Sequence, residues 1–96
     1  MSLVNLPFLG FILLEKQVNS EKVLAFPNPF SNQLTFTIPD NNPTTISLYN
    51  FLGQQILQQT FTNSATLNTE QMQNGIYFYE LRDYKGLVKV GKVVKQ

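Results

Sequence analysis

The groups that could do chemistry in this chain are few. Its acids are Glu15, Glu21, Asp40, Glu70, Glu80 and Asp83. Paired carboxylates can run general acid–base catalysis, but only when placed on opposite sides of a reacting bond. Two of these acids sit in a polar stretch near the N-terminus. Asp40 and Asp83 lie in or beside turn-forming sequence, and Glu80 alternates out of phase with Tyr79 and Leu81. The chain has no histidine, hence no imidazole base to activate a serine and none of the commonest metal ligand. It has no cysteine, which removes thiolate chemistry and disulfides together. Asp40-Asn41-Asn42 resembles a fragment of a calcium loop, but Pro39 and Pro43 flank it and the remaining ligands are missing. This inventory points away from an enzyme, and no cofactor or metal is expected.

Two other groups of side chains could recognise a partner. Tyr49, Phe51, Tyr77, Phe78 and Tyr79 could build a sugar-stacking platform on a sheet face. The competing expectation is that Tyr77 and Tyr79 line the core with their hydroxyls near its rim, which leaves Phe78 on the other face in need of a cover. Near the C-terminus Lys89, Lys92 and Lys95 surround the apolar pair Val93-Val94. Composition favours lysines on a soluble edge strand that suppress edge-to-edge pairing; the alternative is a docking strand with a short cationic signal beside an apolar pair.

These side chains must be positioned by strands. Leu34, Phe36 and Ile38 alternate with Gln33, Thr35 and Thr37, a period of two. Pro39 to Pro43 ends that strand. Ile46 and Leu48 continue the alternation, and a turn at Asn50–Gly53 leads into Gln54–Thr60 with Ile56 as the inward candidate. A short strand centres on Leu67. Glu70–Asn74 is a brief connection or a single helical turn. Tyr77, Tyr79 and Leu81 share one face of the next strand, and Tyr84-Lys85-Gly86 turns into the last strand, where Gly91 suggests a bulge. About seven short strands with regularly spaced turn signals give an all-β fold, a β-sandwich.

Ninety-six residues make one domain at most, with room for a tail. Charged residues are 14% of the chain, against roughly 25% in an average globular protein. The net charge of +1 offers no basic stripe for nucleic acid. Residues 3 to 14 (LVNLPFLGFILL) are apolar but fall short of the roughly 20 needed for a transmembrane segment. They also lack the basic start of an export signal. Residues 1–22 therefore read as a linker, a cargo remnant or a cloning-derived segment, and 23–96 as the folded domain.

One stretch stands apart from the alternation. Phe26-Pro27-Asn28-Pro29-Phe30 places two prolines one residue apart between aromatics. Proline keeps the preceding residue out of the helical region and donates no backbone hydrogen bond. This corner is expected to end the first strand, block an edge and fold Phe26 or Phe30 over the open end of the core.

Taken in order, the corner, the Tyr49-Asn-Phe-Leu-Gly53 turn, Leu67 and Met72, the Asn74-Gly-Ile-Tyr77 strand and the closing Lys92-Val-Val-Lys95-Gln96 resemble the C-terminal sorting domain of the type IX secretion system, type A, over Val23–Gln96. The resemblance implies an immunoglobulin-like sandwich joined to a larger cargo and carried from the periplasm across the outer membrane, to the cell surface or the medium. The implied partners are the outer-membrane translocon, its sorting and cleavage machinery and the covalently joined cargo. By motif position Gly75, Tyr77, Lys92, Val93, Val94 and Lys95 correspond to the recognition elements, and Pro27, Asn28 and Pro29 to the opening motif. The cleavage region falls in or near Asn19, Ser20, Glu21, Lys22 and Val23. A rigid terminal edge is expected, open to strand addition. The rival expectation is a fibronectin-like or carbohydrate-binding accessory sandwich of a secreted protein, using exposed aromatics such as Phe51 or Phe78.

Overall fold

The computed structural model describes residues 22–96. Seven strands follow one another: β1 (Leu24–Phe26), β2 (Gln33–Thr37), β3 (Pro43–Tyr49), β4 (Gln55–Thr62), β5 (Ser64–Asn68), β6 (Gly75–Asp83) and β7 (Gly86–Lys95). They form a three-stranded sheet in the order β1-β2-β5 and a four-stranded sheet in the order β4-β3-β6-β7, with every pairing antiparallel. This is the expected immunoglobulin-like β-sandwich.

The core follows from the period-two pattern. Leu34 and Phe36 of β2 face Ile46 and Leu48 of β3 and Tyr77, Tyr79 and Leu81 of β6, all buried. Each fully buried aliphatic or aromatic side chain contributes about 1.5–3 kcal/mol of transfer free energy. Phe36 and Tyr79 meet edge to face at 5.0 Å between ring centroids. On solvent-facing positions, threonine hydroxyls pair across strands, Thr35 with Thr66 at 2.9 Å and Thr45 with Thr60 at 2.8 Å.

Two local expectations are corrected, and the connection at Glu70–Asn74 is decided between its two alternatives. Ile56 is not inward; it is exposed, and Phe61 and Leu57 supply β4's contribution to the core. The cause is parity: Leu57 lies opposite buried Leu48 and Phe61 opposite buried Thr44, so Ile56, next to Leu57, falls on the outer face, where a register shift (Tyr49 pairs with Gln55) also leaves it as the extra residue of a bulge. Gly91 is not at a bulge. The irregularity in β7 falls at Val88, because Leu81 pairs with Lys89 and Arg82 with Leu87. Glu70–Asn74 holds no helical turn; a hydrogen bond from Met72 N–H to the Thr69 carbonyl closes a tight turn that sets Met72 against the core.

Burial pushes the Tyr79 phenol above its ordinary value of 10.0. The unfolded chain therefore ionises this group first. The stability it confers is fully present below about pH 10 and is lost as pH rises through the higher folded-state value. Tyr79→Phe keeps the ring contact with Phe36 and removes the ionisable group. The variant is expected to lose less stability than the parent between neutral pH and pH 11, measured by urea unfolding at each pH.

Candidate recognition site

The residues assigned to the opening and terminal motifs come together at one end of the sandwich. Tyr77 pairs with Val93, and Gly75 with Lys95, across the β6–β7 ladder. Gly75 has φ +146°, a conformation that side chains rarely adopt, so glycine starts β6 there without strain. The Tyr77 hydroxyl donates to the Gln73 carbonyl at 2.6 Å, which anchors the strand to the loop before it.

The corner meets the other edge of β7. Two peptide bonds here are cis, Phe26-Pro27 and Asn28-Pro29. The Asn28 side-chain oxygen accepts from Val94 N–H at 3.0 Å, and its NH2 group donates to the Lys92 carbonyl at 3.4 Å. Phe30 N–H then donates to the Val94 carbonyl at 2.8 Å, and the Phe30 carbonyl accepts from Gln96 N–H at 2.9 Å. Three edge-facing backbone groups of β7, and the N–H of Gln96 just past it, are thus satisfied by a segment more than sixty residues away. Phe30 is buried and packs against Tyr77, closing the end of the core as expected. The edge from Lys92 to Gln96 is therefore not open to strand addition, because the corner already fills it.

The three terminal lysines have three environments. Lys89 reaches back and donates to the Val23 carbonyl at 2.9 Å. Lys92 is exposed, and among the described residues no acid pairs with it. Lys95 is only 7% exposed. Lys92 and Lys95 are three apart on a strand, so they fall on opposite faces of β7, with Val94 beside Lys92 outside and buried Val93 beside Lys95 inside. That parity was available from the sequence. The role of Asn28 was not, because nothing local reveals its distant partners.

The aromatics do not form one platform. Tyr77 and Tyr79 are in the core and Phe51 is in the β3–β4 turn, where the Asn50 side chain accepts from Leu52 N–H and Gln54 N–H. Tyr49 and Phe78 are register partners on the outer face, and with Glu80, Val90 and Lys92 they line a shallow groove of about 450 Å³. Glu80 is engaged by Arg82 at 2.7 Å. Asp40 accepts from Asn42 N–H at 3.1 Å, a turn contact in place of a calcium loop. In the cleavage region Asn19, Ser20 and Glu21 lie outside the described residues; Lys22 is exposed and Val23 is buried. Among the described residues no helix is long and apolar enough to cross a membrane, and no group of three or more His, Cys, Asp or Glu could hold a metal ion.

Fold and site define the class first: a small immunoglobulin-like β-sandwich whose opening corner is clasped to its last strand. Residues 24–96 match the family described as the secretion system C-terminal sorting domain, and the chain belongs to that family. It is a type IX secretion sorting domain, a non-catalytic family whose members direct a cargo across the outer membrane to the cell surface or extracellular space. An endo-acting ulvan lyase of Formosa agariphila is 32% identical over 72 residues. That match takes in 72% of this chain and 14% of the lyase, so the chain spans a small part of its relative's length. Among solved structures, CopC from Methylosinus trichosporium OB3b is similar with a TM-score of 0.48 and 11% identity, over 76% of this chain and 90% of that one.

Proposed function

We propose that residues 23–96 act as a folded address label, read by the outer-membrane translocon at the end of the sandwich where the two motifs meet. Lys92 and Val94 present the outward surface. Gly75, Tyr77, Val93 and Lys95 hold that surface from beneath, and Pro27, Asn28 and Pro29 hold it from the side. The observation that carries this reading is the clasp: Asn28 and Phe30 bond to Lys92, Val94 and Gln96. A strand fixed on both edges loses less conformational entropy on docking than a loose tail. The domain itself performs no catalysis. Its sorting machinery cuts the chain at or before Lys22, because Val23 is buried and the backbone from Leu24 is paired with β2.

The test is a fusion of the 96-residue chain to an inert periplasmic reporter in a host that has the type IX system. Most of the reporter is expected at the surface or in the medium, and none when the system is deleted. A reporter held in the periplasm of the competent host would defeat the proposal. Mass spectrometry of the exported product is expected to place its new C-terminus at or before Lys22.

A further inference from the structure

We infer that Asn28 is a positioning residue for sorting, which acts through the last strand and is not itself read by the partner. The inference rests on the address-label reading above. A β-strand neighbour offers an edge strand an alternating acceptor and donor. The Asn28 carboxamide offers both from one side chain, an oxygen to Val94 N–H and an NH2 to the Lys92 carbonyl. Two residues later the Phe30 backbone offers the same pair to the Val94 carbonyl and Gln96 N–H. Pro27 and Pro29 have no N–H to give, and it is the Asn28 side chain that continues the ladder between them. The corner is a surrogate strand one side chain and one residue long. It stands where a β8 would stand, and it fixes the pose of the outward face that carries Lys92 and Val94.

Side-chain chemistry makes this separable. Aspartate keeps the acceptor for Val94 N–H and loses the donor to Lys92; alanine loses both. For Asn28→Ala, hydrogen exchange at the Val94 amide is expected to rise at least about tenfold, with the Leu48 and Leu81 amides unchanged, as in a local opening. Reporter export by the full-chain fusion is expected to fall in the order Asn, Asp, Ala, reaching about a tenfold loss for alanine. Leu57→Ala, on the opposite edge of the same sheet, serves as the control; it is expected to lower Tm at least as much and to leave export intact. Unchanged exchange at Val94, or wild-type export by Asn28→Ala, would overturn the inference. So would an export loss in Leu57→Ala that matches its loss of Tm, because Asn28 would then be no more than a stabilising residue. A wild-type fusion that stays in the periplasm sinks the address-label reading and this inference with it. Export by wild type and by Asn28→Ala alike sinks only the inference.

Discussion

Lys92→Ala is expected to hold the fused reporter in the periplasm while leaving Tm nearly unchanged, and Lys95→Ala is expected to destabilise the domain. The two lysines differ in burial, not in charge. Lys92 lies on the outer face with no acidic partner among the described residues. Removing such a surface side chain typically changes stability by less than about 0.5 kcal/mol. Lys95 is 7% exposed, on the inner side of β7 beside Val93 and opposite Gly75. Its stem is buried, and each buried methylene is worth about 0.8 kcal/mol. Truncation to alanine should therefore cost on the order of 2 kcal/mol, which in a domain this size lowers Tm by roughly 8–16 °C. Lys95→Met separates stem from charge: it should recover most of that stability. Thermal unfolding of each variant, followed by fractionation of the reporter between periplasm and medium, gives both readings. If Lys92→Ala is exported like the parent, Lys92 does not belong to the recognised surface.

The contrast between those lysines bears on how much of this molecule could be read from its residues. Wherever one sheet face is buried, period two was enough: Leu34 and Phe36, Ile46 and Leu48, and Tyr77, Tyr79 and Leu81 all point inward as the alternation demands. The same rule places Lys92 and Lys95 on opposite faces, so the closing motif is not one cationic patch. In β4 two apolar neighbours compete for the inward phase, and pairing with β3 decides between them: Leu57 lies opposite buried Leu48, so Ile56 beside it falls on the outer face. The corner was legible in what it forbids, since two prolines exclude helix and interior strand. What it does instead depends on residues 64 to 66 positions away. Long-range pairing of this kind leaves no local signature. For the site, therefore, the motif positions were readable, but their convergence at one end was not.

Gly91 shows the same gap between a local rule and a distant neighbour, and it yields the second large effect. Its register partner is Tyr79. A Cβ built on Gly91 would overlap the Tyr79 ring and hydroxyl well inside van der Waals contact. The glycine is thus a bed for an aromatic ring, a pairing known to protect strand glycines from the cost of their missing side chain. The ring cannot simply swing away, because its other side meets Phe36 edge to face at 5.0 Å. Gly91→Val must then displace a packed ring, and overpacking of this kind costs about 1–3 kcal/mol. The expected fall in Tm is roughly 4–24 °C. The loss is specific to one contact, so a double-mutant cycle should expose it. Tyr79→Leu alone is expected to destabilise by leaving the glycine uncovered. In the Tyr79→Leu background, however, Gly91→Val should cost far less than in the parent, since the ring it would strike is gone. Strictly additive losses in the two single variants and the double variant would mean that ring and glycine do not constrain each other. A coupling of 1 kcal/mol or more would place Tyr79 as the side chain that ties the last strand to the core beneath Lys92.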